Sequence, residues 1–289
     1  MKRLPAEHLP NPLQVHPRVI SGGLPEGDAA FRELVDLGVK TIISVDGMAP
    51  DVQAARRFGL RYVHLPHGYD GIPATRVKEL AKAVHELEGP IYIHCHHGKH
   101  RSPAAASVAC VTAGLLPPEN AVSVLHLAGT DPTYRGLYQA ARQAQALPDA
   151  ELEALEVAFR EIQAVPPMAD AMVELSMVHE HLKLIESSGW TTPPQHPDLE
   201  PAHTTRMLRE LITELLRSQH VANEPADFRQ MLLSSEQIAQ QLESELTKWH
   251  KDTSRRQPPP QLSALAGRLA QECKACHARY RDTPRQERP

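Results

Sequence analysis

The first half of the chain alternates short β-rich runs with helical stretches, and this alternation limits its fold more than any other feature. Four runs are typical of strands: RVISGG, KTIISVDG, RYVHLPHG and GPIYIHC. Between them lie three helical stretches that each end in glycine: AAFRELVDLG, PDVQAARRFG and ATRVKELAKAVHELEG. The pattern predicts an α/β domain of three layers, in which helices cover a mostly parallel sheet.

Strand patterns disappear in the second half, and a chain of 289 residues is long enough for two domains. DAELEALEVAFREIQ predicts a connecting helix, and Pro166 and Pro167 mark the boundary after it. Four segments with apolar residues three and four apart follow, a pattern typical of an antiparallel four-helix bundle. We therefore predict domains at 1–148 and 166–285, joined by a linker helix at 149–165.

Composition excludes several classes of protein. The net charge of -4 provides no overall basic field, so we expect no nucleic-acid partner. No apolar run approaches the length of a membrane span, and MKRLPAEHLPNPLQVHP does not resemble a secretory signal. The four cysteines are too few and too unevenly placed for a disulfide scaffold. We interpret three of them as site residues and Cys110 as a small core residue.

The segment GPIYIHCHHGKHRSPAAASVA joins a buried-type strand to an alanine-rich helix through a loop with chemical uses. Its core is His94-Cys95-x-x-Gly98-x-x-Arg101-Ser102. Such a loop points backbone N–H groups and the positive helix end inward, an arrangement that binds phosphate and favours a thiolate. Cys95 is therefore the candidate nucleophile for attack on a phosphate monoester.

The other residues of this core have complementary roles. Arg101 can curl back and offer a planar fork to two phosphate oxygens. Gly98 permits the tight turn. Ser102 can hydrogen-bond the sulfur and help it leave when water cleaves a phosphocysteine, and His94 can fix the loop through backbone contacts.

This stretch resembles the signature of the protein tyrosine and dual-specificity phosphatase superfamily, His-Cys-x5-Arg-Ser/Thr, and the resemblance covers roughly the first half of the chain. It implies a phosphorylated protein or a small phosphate monoester as substrate. It also implies a general acid, an aspartate on a loop upstream of the nucleophile. Asp70, in HLPHGYDGIP, is the favoured candidate, and Asp46 and Asp51 compete with it.

The remaining residues of the phosphate-binding loop, His96, His97, Lys99 and His100, make its rim unusually basic. Lys99 resembles the phosphoinositide phosphatase branch, but His96 replaces a lysine that is frequent there. An inositol phosphate or phosphoinositide substrate is therefore the alternative. Three clustered histidines could instead bind a metal, provided that the loop abandons the phosphate cradle.

A second motif, Cys273-Lys-Ala-Cys276-His277, lies near the C-terminus. Two cysteines three residues apart on one helical face can form thioethers with haem vinyl groups, and the adjacent histidine can bind the iron. Helices followed by this motif resemble the cytochrome c-prime class, which implies haem c over about residues 166–283. Met168, Met172 and His179 are candidates for the sixth iron position, which could also be empty.

Two alternatives to these interpretations are kept open. The motif could be a zinc half-site or a free dithiol. The whole chain could be a redox or gas-sensing haem protein whose phosphatase-like half only binds phosphorylated partners. Because c-type attachment occurs outside the cytoplasm, we expect a periplasmic location if haem is attached and a cytoplasmic one otherwise.

Overall fold

The computed structural model describes residues 1–252 and 257–288, which divide into two compact units. Unit 1 comprises Met1–Val165 together with the chain from Arg281 onward, and unit 2 comprises Pro166–Tyr280. The predicted boundaries therefore differ at two places. The segment 149–165 belongs to unit 1 rather than to a separate linker, and the chain after Tyr280 belongs to unit 1 rather than to the helical domain.

Unit 1 is built on a six-stranded sheet with the order β1-β2-β3-β6-β4-β5. The strands are β1 (Lys2–Arg3), β2 (Leu13–His16), β3 (Val19–Gly22), β4 (Thr41–Ser44), β5 (Arg61–His64) and β6 (Ile91–His94). The four predicted strands form the parallel part, whereas β1 and β2 add antiparallel pairs at one edge. These two strands escaped prediction because they are short and lie among prolines.

Helices cover both faces of this sheet, and successive strand residues face opposite layers. Ile91 and Ile93 belong to one apolar core, and Tyr92 belongs to the other. The helices of unit 1 are α1 (Gly27–Asp36), α2 (Val52–Arg57), α3 (Ala74–Glu86), α4 (Arg101–Thr112), α5 (Ala121–Ala128), α6 (Arg135–Gln143) and α7 (Asp149–Ala154). The predicted α/β sheet with surrounding helices is confirmed.

The alanine-rich sequence of α4 reflects its place in the fold. This helix is buried along its whole length and packs against β3 and β6 as well as α3, α5 and α6. Small side chains allow this close approach on every side. Cys110 is completely buried there, and burial raises the pKa of its thiol to about 12, as suits a small core residue.

The predicted linker helix is wrong over most of its length, because only Asp149–Ala154 is helical. Beyond it the chain runs along the edge of the sheet, where the carbonyl of Arg160 accepts from the N–H of His64 (2.9 Å). The N–H of Gln163 in turn donates to Nδ1 of His64 (3.1 Å). Phe159 packs against the unit 1 core from this extended segment. Pairing at a sheet edge thus overrides an apolar spacing that resembles a helix.

Unit 2 is helical. Its helices are α8 (Pro167–Ser187), α9 (Pro201–Arg217), α10 (Gln219–Ala222), α11 (Ala226–Lys251) and α12 (Pro260–Cys276), followed by a π-helical turn at His277–Arg281. α8 packs on α9, α9 on α11, and α11 on α12. The antiparallel four-helix bundle stays a prediction. Within the described ranges, no helix combines the length and apolar character needed to cross a bilayer.

Candidate active site

The carboxyl ends of the parallel strands are aligned at one edge of the sheet. Gly22 and Ser44 both pair with His94, and Ser44 also pairs with His64. The loops that leave these strands therefore meet at the same edge, which is the usual ligand side of an open α/β sheet. These loops carry the candidate nucleophile and all three candidate acids.

Cys95 follows β6 directly and is only 3% exposed. Its Sγ lies 3.3 Å from Oγ of Ser102 in the first turn of α4. The Ser102 hydroxyl donates to the carbonyl of Gly22 (2.9 Å), so in this state the thiol can donate to Ser102. A thiolate would instead attract the hydroxyl proton, and the distance allows that hydroxyl to turn to the sulfur.

The loop after Cys95 is held from outside through its carbonyl groups. The carbonyl of His96 accepts from the N–H of Leu24 (3.0 Å). The carbonyl of Gly98 accepts from Nδ2 of Asn11 (2.8 Å), and that of Lys99 accepts from Oγ1 of Thr130 (2.6 Å). In a trans peptide the next N–H points away from the carbonyl, so the N–H groups of residues 97, 99 and 100 point to the inside of the loop. Converging N–H groups of this kind bind an anion.

Gly98 is required by both conformation and space. Its φ is +70°, in the left-handed region that favours glycine. A Cβ at this position would lie 2.5 Å from the backbone nitrogen of Gly23 and 2.6 Å from the carbonyl carbon of Gly22. Any side chain here would push the phosphate-binding loop away from β3.

The basic rim predicted for the loop is only partly charged. His96, His97 and Lys99 are exposed, whereas His100 is half-buried, with its ring 4.3 Å from that of Tyr134. Desolvation lowers the pKa of His100 to about 4, so His100 is neutral near pH 7. No group of three or more His, Cys, Asp or Glu in the described part of the chain could hold a metal ion, so the metal alternative has no support.

Arg101 is the first residue of α4, and one edge of its guanidinium is fixed by contacts with neighbouring side chains. Nη2 donates to Oδ2 of Asp46 (3.0 Å), and the guanidinium carbon lies 4.5 Å from the centre of the Tyr69 ring. Its buried Nε has no hydrogen-bond partner among the residues that the structure describes. A buried donor without a partner is costly, and a phosphate oxygen would satisfy it.

Asp46 and Asp51, the competitors for the role of acid, have other partners. Burial by itself would raise the pKa of Asp46, but Arg101 and two backbone N–H groups outweigh it and hold that pKa below its usual value. Asp46 is therefore a carboxylate that orients Arg101, a role with no local signal in the sequence. Asp51 caps α2 by accepting from the N–H of Ala54 (2.8 Å).

Asp70 lies on the acid loop, which we define as residues 65–73, after β5. Gly136 at the start of α6 lets this loop approach closely, since a Cβ there would lie 2.2 Å from the carbonyl carbon of Asp70. Oδ2 of Asp70 accepts from Nη2 of Arg288 (2.9 Å). The neighbouring Tyr69 ring stacks on Tyr134 with 5.0 Å between centres. The residue predicted as the acid is thus on the same loop as the ring that contacts Arg101.

His94 is completely buried at the end of β6. Its Nε2 lies 2.5 Å from the Tyr62 hydroxyl, and its Nδ1 lies 3.4 Å from the carbonyl oxygen of Cys95. Desolvation lowers the pKa of His94 to about 4, so the ring is neutral. Because a carbonyl only accepts, we assign the proton to Nδ1, and Nε2 accepts from Tyr62. His94 thereby ties the backbone of the nucleophile to the core.

His67, on the acid loop, was not identified from the sequence. It is 8% exposed, and Nδ1 lies 2.9 Å from the carbonyl of Gly68. Desolvation lowers its pKa to about 3, and the charge of Arg101 acts in the same direction. Within the described residues its Nε2 has no hydrogen-bond partner, which leaves a buried acceptor near Arg101. A histidine in a loop of mixed composition carries no signal that would have singled it out.

The haem-type motif lies in unit 2. Cys273 and Cys276 are half-buried at the end of α12, and both pack against the apolar core of that unit. Met168 packs against the same core, and Met172 and His179 are half-buried on α8. His277 follows α12 directly, and its backbone N–H donates to the carbonyl of Cys273.

No protein-family model and no curated protein matches this chain. Among solved structures, P. aeruginosa TpbA is 22% identical with a TM-score of 0.42, covering 47% of this chain and 86% of that one. The core catalytic domain of the S. cerevisiae PP-IP phosphatase Siw14 is 18% identical (TM-score 0.41; 53% and 92% covered). PTPMT1 in complex with PI(5)P is 15% identical (TM-score 0.39; 50% and 97% covered). At these values the likeness alone assigns neither family nor activity.

Proposed function

We propose that unit 1 is a cysteine-dependent phosphatase that hydrolyses phosphate monoesters through a phosphocysteine intermediate. One observation carries the proposal: the loop between Cys95 and Arg101 is held by its carbonyls from outside, while the buried Nε of Arg101 has no hydrogen-bond partner among the described residues. The N–H groups that point into the loop and the guanidinium of Arg101 together match the charge and shape of a phosphoryl group.

In the first step the thiolate of Cys95 attacks phosphorus, so that the P–S bond forms as the ester P–O bond breaks. The loop N–H groups and Arg101 hold the three non-bridging oxygens, whose charge they stabilise throughout. Asp70 gives its proton to the leaving oxygen, which departs as an alcohol or phenol. Asp46 takes no part in this transfer, because it is a carboxylate paired with Arg101.

In the second step water attacks phosphorus and the P–S bond breaks. Asp70, now a carboxylate, takes a proton from the water, and inorganic phosphate is released. The sulfur leaves as a thiolate, and the Ser102 hydroxyl, 3.3 Å away, turns from the carbonyl of Gly22 to donate to it. Cys95 and Asp70 therefore act in both steps, and Ser102 acts in the second.

The proposed substrate is phosphotyrosine or another phosphorylated residue of a protein. The exposed His96, His97 and Lys99 on the loop rim would also suit the additional phosphates of an inositol phosphate or phosphoinositide. Relative kcat/KM on a phosphotyrosine peptide, a phosphoserine peptide and an inositol phosphate distinguishes these classes.

Turnover of 4-nitrophenyl phosphate by the full chain tests the mechanism. Cys95→Ser should abolish turnover and retain phosphate binding, because a serine hydroxyl is not ionised but leaves the cradle intact. Arg101→Lys should lower kcat/KM about 10²-fold or more, since an ammonium cannot reproduce the planar fork. Cys110→Ala, which removes a buried cysteine of α4, serves as the control. If the unaltered protein binds phosphate without turnover, the alternative of a phosphate-binding module is supported instead.

We also propose that unit 2 holds haem c, which Cys273 and Cys276 would attach and whose iron His277 would bind. The half-buried position of both sulfurs against the apolar core of the helices supports this, because a porphyrin requires an apolar environment beside its attachment site. Met168 and Leu175 on α8 pack against that same core, and Met168, Met172 and His179, all half-buried on α8, are the candidates for the sixth iron position. Bound haem would supply redox or gas-binding chemistry. The residues proposed to hydrolyse phosphate all lie in unit 1.

A further inference from the structure

The C-terminal segment, which we define as residues 281–288, returns to unit 1 after α12. It is anchored there at several points. Arg281 forms a two-point ion pair with the buried Asp282 (2.6 and 3.3 Å). The guanidinium carbon of Arg281 lies 4.4 Å from the centre of the Tyr69 ring, and Nη2 donates to the Tyr134 hydroxyl (3.4 Å). The segment is therefore attached beside the acid loop.

The end of the segment reaches the candidate acid itself. Arg288 Nη2 donates to Oδ2 of Asp70 at 2.9 Å, and its Nε donates to the carbonyl of Thr283 (3.3 Å). Glu287 pairs with Arg135 at the start of α6. The side chains of Arg288 and Asp70 are only 23% and 26% exposed, so water screens their attraction less than it would at an open surface.

In this arrangement one carboxyl oxygen of Asp70 is held by Arg288, and the other lies close to Gly68 on the same loop. Oδ2 accepts a hydrogen bond from Arg288. A guanidinium has only donors, so Asp70 cannot pass a proton to it as it would to a leaving oxygen. Oδ1 lies 2.5 Å from the position of a Cβ at Gly68, so it is turned back along the loop. To protonate a leaving group, Asp70 must first release Arg288.

We propose that Arg288 is a specificity-determining residue that withholds Asp70 and thereby biases the enzyme toward substrates whose leaving group departs without a proton. This inference rests on the proposed phosphatase function. Aryl and other acidic leaving groups need little protonation, whereas less acidic ones depend on the general acid. In the first step the cost of releasing Arg288 therefore falls only on the second class, whereas in the second step it is the same for every substrate.

The experiment compares full-length protein with Arg288→Gln on two matched substrates, 4-nitrophenyl phosphate and phenyl phosphate, which differ mainly in the acidity of the leaving phenol. Arg288→Gln should raise kcat/KM for phenyl phosphate, which reports the first step, about threefold to fivefold, the factor that a partly exposed ion pair can contribute. It should leave kcat/KM for 4-nitrophenyl phosphate unchanged. Arg288→Lys, which keeps the positive charge, should stay near the unaltered protein on both substrates.

Arg217→Gln removes an exposed arginine that pairs with Glu214 on α9, and serves as the control for lost charge. An unchanged ratio of the two kcat/KM values in Arg288→Gln overturns the proposal. A fall on phenyl phosphate also overturns it, because Arg288 would then be positioning Asp70 for catalysis. If the unaltered protein shows no Cys95-dependent turnover, it is the proposed phosphatase function that fails.

Discussion

Nη2 of Arg101 lies 3.0 Å from Oδ2 of Asp46, and both side chains are about nine-tenths buried. The two residues are 55 positions apart in the sequence and come together because β4 and β6 are neighbours in the sheet. The buried carboxylate neutralises the buried guanidinium and aims it, so the phosphate site can keep a charged donor in a dry environment. In the proposed phosphatase, this ion pair would keep Arg101 oriented toward the phosphate.

Asp46→Asn should lower kcat/KM by about 10²-fold, because the guanidinium loses the charge that holds its orientation. The free energy of unfolding should fall by about 3 kcal/mol, since a buried arginine is left without a counter-charge. Steady-state kinetics and urea denaturation measure the two effects. Asp51→Asn is the matched control, because asparagine also caps a helix, and should change little. Equal effects of the two variants would contradict the role assigned to Asp46.

Asp70→Asn should lower kcat/KM for phenyl phosphate by roughly 10²–10⁴-fold and affect kcat/KM for 4-nitrophenyl phosphate much less, because kcat/KM reports the first step and only the poorer leaving group needs the proton there. The basic limb of the pH profile of kcat/KM should flatten, as the variant has no acid to lose. If Asp46→Asn produces this leaving-group signature and Asp70→Asn does not, the assignment of the acid is wrong.

Gly98→Ala should destabilise unit 1 and remove most phosphatase activity. The added Cβ meets the backbone of Gly22 and Gly23 at under 3 Å, and the residue must hold a φ of +70°. We expect a loss of about 1–3 kcal/mol in the free energy of unfolding. Gly267→Ala in α12 is the control: a Cβ there meets no heavy atom within 4 Å, so alanine should stabilise that helix slightly.

The stability of unit 1 should fall as the pH decreases from about 6.5 to 4. In the unfolded chain His94 takes up a proton near its ordinary pKa of 6.5, but in the fold burial lowers that pKa to about 4. The stability from neutral His94 is thus complete above pH 6.5 and is lost toward pH 4, by roughly 2–4 kcal/mol. Urea denaturation across this range should show a shallower slope for His94→Asn. Replacing the exposed His8 by Asn should leave the slope unchanged.

Protein exported with a haem-attachment system should become covalently haem-bearing, because Cys273 and Cys276 lie three residues apart on α12 and His277 follows them. Haem staining after denaturing electrophoresis should reveal a band that Cys273→Ala/Cys276→Ala removes. Cys110→Ala, which changes a cysteine outside the motif, should retain the band. Colourless protein that carries stoichiometric zinc would exclude the cytochrome interpretation and leave the phosphatase proposal intact.

Local patterns were sufficient to predict the elements that form unit 1. Strand-like runs, glycine-terminated helices and the Cys95–Arg101 loop all lie within short windows of sequence, where period and backbone preference act directly. The four long helices of unit 2 are recognisable for the same reason. The extent of the helix at 149–165 was wrong because its apolar spacing is satisfied as well by an extended chain at the edge of β5.

The sequence by itself determined which reactive side chains are neighbours along the chain. They are a cysteine, an arginine and a serine on one tight loop, and a pair of cysteines beside a histidine. Only the tertiary structure decided that Asp46 is the aspartate that pairs with Arg101, that Asp51 caps α2, and that Arg288 contacts Asp70 across 218 positions of sequence. Contacts of this kind depend on which strands are neighbours and on where the chain returns, and no local backbone preference encodes either.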